Sequence, residues 1–311
     1  MKVDTMTDNN TERLTLPSIQ VQSVLYNMDE FSVRRALEAL SRSVDLAVAA
    51  GCCGKFKVVY GDTSPTRCLQ DGVLAKLRDE FAWAFEIDYI FFDENIGSAN
   101  GHNRLATGCE LDYLLILNPD VVVSPRLFQH MLAAFDDKSV GMVEAKQLPI
   151  EHPKTYDPIT GVTSWATTAC ALTPTKLFRA LEGFDSAAFF LYCDDVDYSW
   201  RVREAGYKVI FTPAAVVFHD KRISPRGEWR PSSAEVRYSA EAALMMAHKW
   251  SRPDIVADIV HMFRHGGEEQ VMAVKKFESM QESGTLPSPR DPSHKVGQFE
   301  GHFYAKHRYA L

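Results

Sequence analysis

The chain has no apolar run near the 18 or so residues that a membrane span needs. Its longest apolar stretches, such as 113–117 and 214–218, have strand length. The opening MKVDTMTDNNTER lacks the apolar core of a signal peptide, so residues 1–16 are expected to be a disordered leader on a cytoplasmic protein. Cysteines 52, 53, 68, 109, 170 and 193 show neither CxxC nor zinc-ligand spacing, and reduced, packed thiols are the expectation. Excess basic charge is missing too: a net charge of −7 argues against nucleic acid as a partner. P-loop, dinucleotide fingerprint and serine or cysteine nucleophile constellations are all absent.

What is present suits a large α/β domain. Of 311 residues, 46% are apolar and 24% charged, ample for a core. Short apolar segments at 18–25, 56–60, 88–92, 111–117 and 140–145 read as strands. Helical spacing fills 30–48 and 67–85, and Ser124-Pro125 looks like the start of another helix. This alternation predicts a doubly wound, mainly parallel sheet. Ligands of such sheets bind outside the carboxyl ends of the strands. Asn27, Asp62, Asn95 and Asp120 all fall at predicted strand ends.

Beyond residue 146 the alternation weakens. A proline-rich loop over 147–162 precedes a predicted strand at 163–172 and a short helix from Thr173-Pro174. A strand pair is predicted around 208–211 and 214–218, with His219 at its end. Residues 232–311 read as a helical appendage and tail, with helices through Trp250 and over 254–280, after a domain spanning 17–231. The appendage is a candidate for homodimerisation or for peripheral contact with the inner face of the cell membrane. Its mixed charge gives the membrane idea little support.

The stretch GFDSAAFFLYCDDVDYSWRVREAGY, 183–207, holds the strongest chemical signal. An aromatic lead-in meets three carboxylates, Asp194, Asp195 and Asp197. Acids at a helix start fit the helix dipole. Clustered carboxylates also raise one another's pKa, which suits a general base. Asp120 in Asn118-Pro119-Asp120 could hold a hard divalent cation or simply cap a turn. The loop with Asn95, Gly97, Gly101 and Asn103 allows close approach of a ligand, or is an ordinary loop. Asp62 could bond a base or ribose, or belong to a β-turn. His219 could be an ordinary satisfied histidine, and Lys221, Arg222, Arg226 and Arg230 could neutralise a diphosphate or be a solvated loop.

Taken in order, these residues resemble the family 2 glycosyltransferases of the GT-A fold, in particular the rhamnosyltransferase-like enzymes of bacterial surface polysaccharides. The resemblance spans roughly 18–222. It rests on Asn95-x-Gly97-x-x-x-Gly101-x-Asn103, Leu117-Asn118-Pro119-Asp120, Gly183-Phe184-Asp185, Tyr192, Asp194-Asp195-x-Asp197, Trp200-Arg201, Ala205-Gly206-Tyr207 and His219. It implies an α/β GT-A fold (Rossmann-like, with flanking helices) plus the C-terminal appendage. It also implies a nucleotide-diphosphate sugar donor (dTDP-, UDP- or GDP-linked), a divalent cation (Mg2+ or Mn2+) and a glycan or lipid-linked glycan acceptor.

By that resemblance Asp195 is the catalytic base with Asp194 beside it, and Asp120 and His219 hold the metal. Tyr26, Asn27, Asp62, Asn95, Gly97, Asn103, Asn118, Lys221 and Arg222 line the donor site, and Trp165, Tyr192 and Trp200 meet acceptor or sugar. Two positions depart from the family pattern: Asn118 replaces the first metal-motif acid, and Asp194-Asp195 replaces a Glu-Asp pair. A silent sugar-nucleotide binder and a nucleotidyltransferase are the rival readings. The latter needs a basic phosphate loop that 18–29 lacks.

Overall fold

A computed structural model describes residues 16–219 and 231–305. Strands β1 (Ser18–Leu25), β2 (Lys55–Asp62), β3 (Glu86–Phe91) and β4 (Tyr113–Leu117) run parallel, with β1 between β2 and β4. Parallel neighbours need crossovers, supplied by α1 (Glu30–Ala49), α2 (Asp71–Phe81) and α3 (Gly97–Ala106). With both faces of the sheet covered, Leu114, Leu115 and Ile116 are all fully buried, which is why the strand reads as continuously apolar. Helix α1 starts where Asp29 accepts a hydrogen bond from the Ser32 backbone N–H at 2.9 Å, a cap worth about 1 kcal/mol. Its Val33, Leu37, Leu40 and Val44 face the core.

The second half of the sheet mixes directions. Strand β8 (Cys170–Pro174), which leads into the short helix α5 (Thr175–Ala180), is antiparallel to β4 and to β6 (Val140–Leu148). Strand β9 (Lys208–His219) runs parallel to β6, with short β5 (Val121–Val123) and β7 (Val162–Thr163) antiparallel to it. The order is β3-β2-β1-β4-β8-β6-β9-β5, with β7 also on β9. One edge therefore collects the carboxyl ends of β1, β2, β3, β4, β6 and β9 and the amino ends of β5 and β8. Leu117 pairs with Cys170, Leu148 with Phe218, and Val121 with His219.

Several elements differ from the sequence expectation. The strand expected over 163–172 is divided, because 164–169 leave the sheet between β7 and β8. The strand pair expected around 208–218 is one strand whose register against β6 jumps from Ala145–Thr212 to Lys146–Val216, a bulge that bends it. Helix α4 (Leu127–Ala133) begins after a turn at Ser124 rather than at Pro125. The helix expected over 254–280 is broken at Gly266-Gly267 into α8 (Pro253–Arg264) and α9 (Glu268–Glu282).

The C-terminal helices do not stand apart from the sheet domain. Helix α7 (Ser233–Lys249) opens with a reciprocal cap between Ser232 and Glu235. With α8 and α9 it shares an apolar core with α6 (Asp194–Glu204), in which Val196 and Trp200 meet Leu244, Trp250, Phe263 and Phe277. Among the described residues no helix is long and apolar enough to cross a membrane.

At the centre of that junction lies a buried charge cluster. Lys249 Nζ sits 2.6 Å from Asp185 Oδ2 and 2.8 Å from Asp197 Oδ1. Arg201 Nε donates to Asp197 Oδ2 at 2.8 Å, and Trp250 Nε1 donates to Asp197 Oδ1 at 3.1 Å. Removing one partner would strand buried charge. Lys249→Met is thus expected to cost about 3 kcal/mol or more, read as a lower urea midpoint with α6 and the C-terminal helices unfolding together. An unchanged midpoint would show that the cluster does not hold them.

Candidate active site

The chain enters α6 through two successive left-handed residues, Tyr192 (φ 69°) and Cys193 (φ 58°). Each costs about 1–3 kcal/mol for a side chain with Cβ and persists only where packing over-determines it. The Cys193 side chain is buried, and its carbonyl accepts the Asp197 N–H at 2.8 Å, so the turn doubles as the helix start. This geometry separates the three acids. Asp197 is wholly buried in the Lys249–Arg201 cluster. Asp194 is also buried, and its carboxyl is pushed up to about 8, by desolvation first and by the neighbouring Asp195 charge second. Asp195 is half-buried, with Oδ1 accepting the Val196 N–H at 2.8 Å and Oδ2 the Thr168 N–H at 3.3 Å. Of the two adjacent carboxylates, Asp195 is the more exposed.

The antiparallel pairing of β5 with β9 sets a second pair. Asp120, one residue ahead of β5, places Oδ1 3.4 Å from Nε2 of His219. His219 is nearly buried, and its Nδ1 lies 2.7 Å from Gln147 Oε1. With Gln147 Oε1 as the acceptor, the proton of a neutral ring belongs on Nδ1 and the lone pair on Nε2. A carboxylate oxygen and an imidazole nitrogen converging in this way fit a divalent cation. Among the described residues no cluster of three or more His, Cys, Asp or Glu side chains could hold a metal. The remaining ligands would have to be substrate phosphate and water, as is usual for Mg2+. Deeper in, Glu144 is fully buried and contacts Lys154; burial pushes its carboxyl up to about 7 although Lys154 pulls it back.

At the β1 and β2 ends, Asp62 is buried with both oxygens engaged. Oδ1 accepts the Ser64 N–H at 2.9 Å, and Oδ2 accepts the Cys68 N–H at 2.7 Å and the Tyr89 hydroxyl. Burial raises its carboxyl, but the bonds from Ser64, Tyr89 and Cys68 outweigh that and hold it below the ordinary range. Tyr26 and Asn27 are exposed, and Asn27 (φ 52°) donates its N–H to Ser64 Oγ at 2.8 Å. Asn118 is half-buried at the end of β4, its N–H donating to Ala169 O at 3.0 Å.

No family model matches the chain. Two curated relatives are pre-mycofactocin glycosyltransferases of Mycobacterium tuberculosis, from strains CDC 1551 / Oshkosh and ATCC 25618 / H37Rv. Each is 26% identical over 202 residues, covering 58% of this chain and 41% of the relative. The chain thus spans about two fifths of the length of these relatives. Among solved structures, GalNAc-T7 with UDP, GalNAc and Mn2+ superposes with a TM-score of 0.61 at 13% identity, covering 88% of this chain and 56% of that one. The mannosyltransferase PcManGT of Pyrobaculum calidifontis, with GDP-Man and Mn2+, gives 0.52 at 16% identity, covering 88% and 84%. This is the GT-A fold.

Within the GT-A frame, several residues expected in the site have other work. Trp200 is fully buried between Trp250 and Phe299, at ring distances of 5.1 and 5.2 Å, and offers no face to a sugar. Trp165 is equally buried, edge-on to Tyr304 at 4.9 Å and with Lys154 Nζ 4.0 Å from its ring centroid. Both expectations failed because aromatic spacing does not distinguish a core ring from a stacking platform. Tyr192 remains partly accessible, its hydroxyl 3.4 Å from Glu235 Oε1.

Asp62 organises the 63–68 loop rather than presenting a bare carboxylate. Asn103 spends its amide on the backbone of Phe184, donating to its carbonyl at 2.7 Å and accepting its N–H at 2.8 Å. A Cβ on Gly97 (φ 76°) would meet the Phe190 carbonyl at 2.4 Å, and Asn95 accepts the Gly97 N–H at 3.3 Å. The Asn-Gly motif of 95–103 is thus mainly the seat of the 183–190 segment.

Lys221 and Arg222, with Arg226 and Arg230, lie outside the described residues. Sequence reasoning missed Gln147, Thr167 and Thr168. Their only signal was a polar residue at a strand end and a threonine pair ahead of β8.

The state of Asp194 can be read from stability. Its proton is held to about pH 8 in the fold, against an ordinary value of 3.8. The stabilisation is therefore full below the ordinary value and lost as pH rises through the folded one. Asp194→Asn keeps the neutral shape and escapes that loss. Its Tm relative to the parent should rise between about pH 5 and about pH 9, and parallel curves would mean that Asp194 is ionised in the fold.

Proposed function

We propose that the chain is an inverting glycosyltransferase. It moves a sugar from a nucleotide-diphosphate donor to a hydroxyl of a glycan or lipid-linked glycan acceptor, in the synthesis of a bacterial surface polysaccharide. The observation that carries the reading is an accessible Asp195 at the same sheet edge as the Asp120–His219 pair, on a GT-A fold. The names of the curated relatives agree with sugar transfer, and the neighbours are bound to UDP with GalNAc and to GDP-Man. The order of motifs makes a rhamnosyl donor the first to try.

In this reading the donor lies across the ends of β1, β2 and β4. Its nucleoside rests near Tyr26, Asn27 and the loop that Asp62 organises, and its diphosphate near Asn118, Asp120 and His219. Asp120 and His219 would hold a divalent cation, which would supply charge neutralisation at the diphosphate. Asp195 takes the proton from the acceptor hydroxyl as its oxygen bonds to the anomeric carbon and the bond to the diphosphate breaks on the opposite face. A single displacement inverts the anomeric centre and needs one base and no enzyme nucleophile. The Thr168 N–H and the Val196 N–H fix the carboxylate, and Tyr192 borders the acceptor side.

Asp195→Asn keeps the shape and removes the base. Turnover should fall by about 10²–10⁴-fold with the dissociation constant for UDP- or GDP-sugar nearly unchanged, measured by product assay and calorimetry. Normal turnover of the variant would remove Asp195 from this role. Chelation with EDTA should abolish transfer, and Mg2+ or Mn2+ should restore it; transfer that survives EDTA would sink the metal dependence.

A further inference from the structure

Behind His219 runs a chain of buried polar groups that the reaction as described does not use. Gln147, Glu144, Thr167 and His219 are each no more than 6% exposed, and the Lys154 side chain is equally buried. Gln147 Nε2 donates to Thr167 Oγ1 at 2.8 Å, and Thr167 Oγ1 donates to Glu144 Oε1 at 2.8 Å. The other Glu144 oxygen contacts the Lys154 ammonium, whose Nζ also lies 3.5 Å from Trp165 O.

The direction of each bond follows from what each group can do. An ionised carboxylate only accepts, so the Thr167 proton points to Glu144. The Thr167 lone pair then takes the Gln147 NH2, which turns the amide oxygen toward His219. That oxygen accepts from Nδ1 at 2.7 Å, so in the neutral ring the lone pair belongs to Nε2, the atom 3.4 Å from Asp120 Oδ1. Were Nδ1 left without an acceptor, the other tautomer could form, with Nε2–H donating to the Asp120 carboxylate. The ligating lone pair would then point away from Asp120.

We propose that Gln147 is a positioning residue: locked by Thr167 and Glu144, it fixes His219 with its proton on Nδ1 and presents Nε2, beside Asp120, to a divalent cation. The inference rests on the reading of Asp120 and His219 as cation ligands, and deepens it. Partners of this kind orient a ligating imidazole, and their loss costs about 10–100-fold in metal affinity. The site lacks a third His, Cys, Asp or Glu ligand among the described residues, so a fixed imidazole matters more here.

Three variants test it on the full chain: Gln147→Met removes the acceptor, Thr167→Val removes the lock, and Thr167→Ser restores it. Imidazole ¹⁵N shifts, assigned by loss of the His219 signal in His219→Ala, report the tautomer without metal at about pH 8, where Glu144 only accepts. Mn2+ titration followed by electron paramagnetic resonance, with and without UDP or GDP, reports affinity. The parent and Thr167→Ser should show Nδ1–H. Gln147→Met should move the proton to Nε2 and weaken Mn2+ by about 10–100-fold, and Thr167→Val should act in the same direction but less.

Parent His219 protonated on Nε2, or Mn2+ binding in both Gln147→Met and Thr167→Val within about twofold of the parent, would overturn the proposal. A parent that binds no Mn2+ even with UDP or GDP would remove the cation reading, and this inference with it. If the variants lose Mn2+ as expected while the parent transfers no sugar, the positioning role stands and the transferase reading falls.

Discussion

A single buried carboxylate, Asp197, organises the region where chemistry is possible. It receives Arg201, Lys249 and the Trp250 indole, so that a fully desolvated charge has its lone pairs occupied. Desolvating an ion costs several kcal/mol, and only dense pairing of this kind offsets it. The same partners reach outward. Arg201 also donates from Nη1 to Leu181 O at 2.5 Å and from Nη2 to Gly183 O at 2.7 Å, and Lys249 holds Asp185. One acid thereby ties α6, the 181–185 turn and the last turn of α7 into one body. The C-terminal helices are part of what keeps the first turn of α6 in place.

With Asp197 paired to Arg201 and Lys249, its charge acts on Asp194 less than that of Asp195 does, which leaves two acids to distinguish. Burial then distinguishes those two: Asp194 lies inside and keeps its proton toward pH 8, while Asp195 is only half-buried and is held by two backbone N–H groups. Near neutrality only one of the adjacent carboxyls need carry charge, the usual outcome for coupled acids in a poorly solvated site. The left-handed pair Tyr192-Cys193 makes this possible, because it swings Asp194 inward and leaves Asp195 outward. The strain of that turn is held by the aromatic lead-in, with Phe189 buried and Phe190 stacked on Tyr238 at 4.7 Å.

The parallel half of the sheet was legible because strands covered on both faces write themselves as apolar runs between amphipathic helices. The acid cluster was legible too, since three carboxylates after an aromatic run have no common packing explanation. The roles of Asn103 and Gly97 were not. A motif shows that residues are constrained, and a glycine pressed on Phe190 is as constrained as one pressed on a ligand. Trp165 and Trp200 misled for a similar reason: the covering that buries them comes from Phe299 and Tyr304, about 100 residues or more away in sequence. Gln147 and Thr167 were invisible because their meaning depends on β6 and β8 being neighbours, and on 164–169 leaving the sheet where one long strand was expected.

That departure from the sheet is what connects the parts of the site. The Ala166 N–H donates to Ser199 Oγ on α6 at 3.0 Å, Thr167 takes part in the bonds behind His219, the Thr168 N–H reaches Asp195, and Ala169 O receives the N–H of Asn118. Four consecutive residues thus touch the acid helix, the support of the histidine, the accessible carboxylate and the strand end that carries Asp120. Had the strand run unbroken through 164–169, the N–H groups of Ala166 and Thr168 would have been consumed by ladder bonds and could not have met Ser199 and Asp195. The proposed displacement needs its base and its leaving-group charges at fixed separation, and errors of about 1 Å cost about 10²-fold. A segment bonded to both sides at once, and short enough to have little freedom of its own, sets that separation more firmly than two independent loops would.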